Sequence, residues 1–250
     1  APDSACKVHW SEDVGGSTTY LPICVTQADY LINMAGLKAH ELAGATLCAK
    51  NHCGTILAAL DNKPTMQAPQ GANIHGYIAA KDFDYGAGWQ WMRRPMGSYN
   101  ALVDMMGHRH LGEKTLLFLI DGLYAAPHQQ AALDYSTRWH SAPFDGHWTS
   151  SLFLSMDGVA IDSVAYDFLI HEPTIGGNPK ILPAGHTTEN YLHESAMAEA
   201  PESGTLYCPD GEDRYLSSLG VHEHWDDPAT KQYSRNRGDG AGIELIAMTP

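Results

Sequence analysis

Lys38, His40, Lys50, Asn51 and His52 all fall in one short stretch, Gly36 to Gly54, directly after an apolar run. A lysine beside histidines near a strand end suits anion binding, carbonyl activation or proton transfer. The plainer reading makes Lys38 and Lys50 surface lysines and His40 a hydrogen-bonded polar residue. Lys38, His40, Lys50 and Asn51 are the first candidates for catalysis. Asp121 joins them because it follows the apolar run Lys114 to Ile120. An acid at the carboxyl end of a buried strand faces the edge where open α/β sheets bind ligands. Asp157 and Asp162 are candidate cation ligands, and the ordinary alternative for Asp157 is a helix N-cap. His222 and His224 stand at i and i+2, share a face in an extended chain, and could chelate a transition metal.

The elements that must position these residues follow from pattern. Residues 1–23 read as a loop or weak strand. Asp29 to Ala35 reads as a buried strand broken at Gly36, followed by a helix from about Ala43 to His52 that Gly54 would end. Residues 62–95 and 124–150 read as long loops rich in aromatics and histidines, and such loops are often functional. Ser98 to Gly107 has a helical apolar face with Ser98 as the expected cap. Lys114 to Ile120 is apolar throughout, as in a strand covered on both faces. Ser151 to Ser155 reads as a short strand, and Asp157 caps a helix reaching His171. Gly176 to Thr188 reads as a loop, Thr188 caps a further helix from Glu189, and Gly242 to Met248 would add a last strand. The sum is one α/β domain over 1–250, with a mostly parallel buried sheet flanked by helices.

Composition narrows the function classes. With 44% hydrophobic residues and a formal charge of −14, the chain is globular and acidic. Nucleic acid is excluded as a partner, because phosphate binding needs concentrated positive charge. No apolar run is long enough for a membrane span. Five cysteines allow at most two bridges, with Cys6 and Cys24 the first pair to test; Cys48, Cys53 and Cys208 complete the set. The chain has no CxxC pair, HExxH, GxSxG, GxGxxG or Walker loop.

Several spaced motifs together resemble the bacterial and archaeal domain-of-unknown-function family 362. They are Leu37-Lys38-x-His40, Ala43-Gly44-x-Thr46, Lys50-Asn51, Gly54, Leu119-Ile120-Asp121-Gly122 and Ser155-x-Asp157-x-Val159-Ala160-x-Asp162. The match spans roughly Asp29 to Ile170. The resemblance implies an α/β fold and an exported protein, periplasmic or extracellular. It also implies a further α/β segment ahead of this chain's first residue, so either a homo-oligomer or a partner chain supplying that segment is expected. The functional expectation is metal- or cofactor-assisted chemistry on an anionic or carbonyl-containing ligand, with the reaction open and a divalent metal ion as the candidate cofactor. The alternative is a non-enzymatic extracellular assembly subunit that uses its aromatic loops as contacts.

Overall fold

A computed structural model describes residues 1–14, 18–60, 63–65, 74–84, 86, 90–128, 131–173 and 186–248. In chain order the strands are β1 (Pro2–Val8), β2 (Thr19–Pro22), β3 (Leu31–His40), β4 (Gly44–Thr46), β5 (Leu57–Leu60), β6 (Lys63–Thr65), β7 (Phe83–Asp84), β8 (Gln90–Trp91), β9 (Thr115–Ala126) and β10 (Ser151–Ser155). The helices are α1 (Ile23–Thr26), α2 (Cys48–Asn51), α3 (Ala101–Gly107), α4 (Gly158–His171) and α5 (Asn190–Ala196). The main sheet runs β10-β9-β3-β4, a second antiparallel sheet runs β1-β2-β5-β6, and β7 pairs with β8. The fold is α/β. Its main sheet is mixed rather than mostly parallel: β3 and β9 pair in parallel, whereas β4 and β10 return antiparallel at the two edges.

One face of the main sheet carries the core. Ala35, Leu37 and Ala39 of β3 and Phe118 and Ile120 of β9 are buried with Val159, Val164, Phe168 and Leu169 of α4 and the whole of α3. The strand over Lys114–Ile120 was expected to be covered on both faces, yet Leu116 is half exposed. Apolarity on both faces of a strand marks what can be covered; among the described residues, helices reach only one side.

Glycines decide two boundaries. Gly36 does not break β3, which continues through Lys38 to His40 and pairs Gly36 with Asp121. Gly44 turns at φ +78° and pairs with His40, so the chain folds back as β4 where a helix was expected. Only one turn of α2 follows, continued by a 3-10 turn from His52 to Thr55. A Cβ at Gly44 would lie 1.6 Å from Thr188 Oγ1, so no other residue fits there unless the Thr188 side chain moves.

Caps shift in the same manner. Asn100, not Ser98, caps α3 by accepting from Leu102 N, while Ser98 Oγ donates to Pro95 O. Asp157 caps α4 as expected, accepting from Val159 N and Ala160 N. No strand forms over 242–248; Asn236 holds that segment by accepting from Leu245 N and donating to Leu245 O. All five cysteines are free, including Cys6 and Cys24. No helix among the described residues is long and apolar enough to cross a membrane. Tyr85 and Trp89 of the first long loop, and residues 174–185 of the Gly/Pro-rich loop, lie outside the described residues.

A buried polar knot fastens α2 to β3. Asn33 Nδ2 donates to Cys48 O and to His52 Nε2, and Asn33 Oδ1 accepts from Asn51 Nδ2. His52 is therefore neutral, with its proton on Nδ1, and burial pulls its pKa down to about 4. In the unfolded chain the same imidazole titrates near 6.5. Its contribution is complete above pH 6.5 and is lost as pH falls through 6.5 towards 4. Acidification from pH 7 to 4 is expected to cost about 3 kcal/mol through this group alone. Urea midpoints at both pH values for wild type and His52→Gln check this; equal pH dependence in the two proteins would refute it.

Candidate metal centre

His222 and His224 meet Glu189 in a cluster in which one ligand atom from each residue lies within 4.8 Å of the others. Local geometry explains the meeting. Ser163 and Asp167 are one helical turn apart on α4, about 6 Å along the axis. His222 and His224 are two residues apart in a segment outside any helix or strand, and two residues of extended chain would span about 6.6 Å. The two spacings match, so each α4 residue holds one imidazole. Ser163 Oγ lies 2.8 Å from His222 Nδ1, and Asp167 Oδ1 lies 2.6 Å from His224 Nδ1. Asp167 also accepts from Trp225 N and Tyr233 Oη through its other oxygen, which locks the segment down. Upstream, Val221 N donates to the Asp157 cap, and Gly220 leaves room for that carboxylate at φ +152°.

The hydrogen bonds determine the tautomer of His222. Ser163 Oγ donates its single proton to Val159 O, so it accepts from His222 Nδ1–H. His222 Nε2 then presents a bare lone pair, and this atom is buried with no hydrogen-bond partner. Burial, with His193 and His224 nearby, depresses the His222 pKa to about 3, which keeps that lone pair unprotonated. His224 behaves oppositely. Hydrogen bonds to Asp167 and Glu189 raise its pKa to about 10, with Nε2 3.1 Å from Glu189 Oε2. His193, exposed and one helical turn after Glu189, stacks edge-on to His222 at a centroid distance of 4.5 Å.

Two imidazoles and a carboxylate are the ligand set of open zinc and non-haem iron sites. The supporting groups fit as well, since a carboxylate or hydroxyl on the far ring nitrogen orients a metal-bound histidine. Pattern reading missed Glu189, His193, Ser163 and Asp167. The signals were the Glu189-x-x-x-His193 spacing at the start of a predicted helix and the Ser163/Asp167 spacing on α4. Neither outranks ordinary helix composition until the His222 segment is placed against it. Glu189 sits at the N-cap of α5 without capping it, because its carboxylate turns to His224.

The remaining candidates lie elsewhere. Asp157 and Asp162 are not in the cluster. Asp157 serves as a cap, and Asp162, fully buried, accepts from Cys48 N, Ala49 N and Tyr191 Oη. Lys38 and Asp121 share the outer face of the main sheet, since Asp121 pairs with Gly36 in register. Asp121 stands mid-strand rather than at a strand end, because Gly122 stays paired to Ser151 and β9 continues to Ala126. Its Oδ1 accepts from Leu123 N. His40 Nδ1 accepts from Leu42 N and Ala43 N, closing the β3–β4 turn; burial and the nearby Lys50, His75 and Lys38 pull its pKa to about 3. Asn51 belongs to the Asn33 knot, and Lys50 flanks Cys53. A cavity of about 490 Å³ opens beside His40 and is lined by Lys81, His128, Asp134 and His186 as well; Lys38, Lys50, Asn51 and Asp121 do not line it.

The sequence model of a family described as a domain of unknown function, DUF362, matches residues 5–167. The chain belongs to this family. No curated protein and no solved structure matches it. The DUF362 match takes in the Lys38–Asn51 stretch, Asp121, and the supporting Ser163 and Asp167. Glu189, His193, His222 and His224 lie beyond the matched region, so the candidate metal-ligand set stands on this chain's own geometry.

Proposed function

We propose that this chain binds one divalent transition-metal ion through Glu189, His222 and His224, and that it acts on an anionic or carbonyl-containing ligand there. The observation that carries the reading is the buried, unpartnered lone pair of His222 Nε2 beside two further ligand atoms. A buried nitrogen acceptor without a partner costs about 1–3 kcal/mol, and a metal ion would satisfy it. With the Nε2 proton of His224 displaced on binding, one carboxylate and two imidazoles leave a divalent ion with net positive charge, which favours an oxygen anion or a polarised carbonyl as the next ligand. Such an ion supplies Lewis acidity and lowers the pKa of a bound water. Asp167 holds His224 with Nε2 towards the site, Ser163 holds His222, and the exposed His193 is placed to exchange protons with solvent. The exported location implied by the family resemblance belongs to the same proposal.

Elemental analysis of natively purified protein tests the reading. About one equivalent of transition metal is expected in wild type, and less than about a tenth in His222→Ala with the circular dichroism spectrum unchanged. Wild type that stays metal-free after dialysis against micromolar Zn²⁺ or Co²⁺ overturns it. The alternative, an assembly subunit without catalysis, draws support from a different observation: the apolar face of the main sheet that no described residue covers.

A further inference from the structure

The outer face of the main sheet is apolar and uncovered among the described residues. Its rows follow from the register. Met34, Leu119 and Leu154 stand side by side across three strands, Ile32 lies beside Leu117, and Asp121 stands between Gly36 and Leu152. Ile32 is 65% exposed, Met34 61%, Leu152 56% and Leu154 60%. The central Leu117 and Leu119 are only partly exposed, being flanked by these neighbours. With the neighbouring Leu116, Leu123 and Met156, the patch offers on the order of 700 Å² of apolar surface, at the upper limit for a monomer and close to the ~800 Å² each partner of a standard complex contributes.

We infer that this face is the interface of a two-fold dimer of the chain, packed sheet on sheet. Charge selects the occupant. Each copy carries a net −14, so close approach is favoured only where acids are scarce. Among the outward-pointing residues of β3, β9 and β10 the charged groups are Lys38 and Asp121, one of each sign, with Lys38 two residues beyond Gly36, which pairs with Asp121, and past the irregularity that pairs Lys38 with Ala126. Such a face gives a strongly basic or acidic partner little to pair with, but it complements itself. A two-fold axis parallel to the strands and between β3 and β9 lays each β3 over the other copy's β9. Lys38 then reaches the partner's Asp121 while Met34 packs over the partner's Leu119 in the middle and Leu154 lies at the rim, as in aligned sheet packing. The inference is independent of the metal centre.

Light scattering on a sizing column, from about 1 to 100 μM chain and at low and high salt, tests it. The expected mass is twice the 27.2 kDa of the chain. The dimer should tighten with salt, because screening removes the repulsion between acidic copies. Met34→Glu and Leu154→Lys, each at an exposed position, should give folded monomers with an unchanged circular dichroism spectrum and urea midpoints that no longer rise with chain concentration. Leu206→Glu, at an exposed site outside this face, should leave the dimer intact. Lys38→Asp and Asp121→Lys should each weaken it by about tenfold or more, and the double exchange should restore it. A 27.2 kDa species throughout the range, or a dimer indifferent to Met34→Glu, overturns the inference. Failure of the double exchange to restore affinity overturns the proposed register.

Discussion

Asp162→Ala is expected to lower the unfolding free energy by about 3–5 kcal/mol while leaving metal stoichiometry in the surviving folded protein unchanged. Asp162 is wholly inaccessible and joins three elements. From α4 it accepts from Cys48 N and Ala49 N at the first turn of α2, and from Tyr191 Oη of α5. Alanine leaves two amides and a phenol without partners in a dry interior. Burial raises the carboxyl pKa to about 6, so the aspartate is not without cost, and its removal returns some of that penalty. The unpaired donors outweigh that return, because three donors left without an acceptor at about 1–3 kcal/mol each exceed it. Urea unfolding with elemental analysis of the folded fraction is the measurement. A variant of wild-type stability that has lost its metal would make Asp162 a ligand and refute the structural role.

The second large effect is expected at Asp167, and there the sign is reversed: fold retained, metal lost. Asp167 Oδ2 accepts from Trp225 N and Tyr233 Oη, and Oδ1 accepts from His224 Nδ1. In Asp167→Asn the carbonyl oxygen is held by the two donors at the Oδ2 position. The amide nitrogen then faces His224 Nδ1 and donates to it. His224 must carry its proton on Nε2, and the lone pair offered to the metal disappears. Metal affinity should fall by about 10–100-fold or more, the range found when groups behind a metal-bound histidine are removed. The urea midpoint of the metal-free protein should move far less than in Asp162→Ala. Titration with Zn²⁺ against a chromophoric chelator measures the affinity. Affinity unchanged in a folded Asp167→Asn protein would show that His224 is not a ligand.

That His222 and His224 lie side by side was readable from spacing alone, because i and i+2 in an extended chain share a face whatever surrounds them. Their partners were not readable. Glu189 looked like the first residue of a helix and Asp167 like one more polar position on α4, until the fold set the 222–225 segment along α4. Conversely, Lys38, Lys50 and Asn51 cluster in sequence, and the structure gives them different tasks. Lys38 points out from a sheet face, Lys50 flanks Cys53, and Asn51 ties α2 to β3. Closeness along a chain that reverses at Gly44 does not translate into convergence of side chains.

The sequence by itself determined the α/β class, the strands over 31–35, 115–120 and 151–155, the helix capped by Asp157, and the family. Each of these rests on local signals: apolar runs, a cap residue, and motifs in fixed order. Tertiary structure alone decided that β3 runs through Gly36, that Asp121 sits mid-strand, that β10 returns antiparallel, and that one face of the sheet is uncovered among the described residues. Only it could join Glu189 and Asp167 to the two histidines. These are matters of pairing and packing between segments far apart in the chain. Their energies depend on which surfaces meet, and no local pattern encodes that.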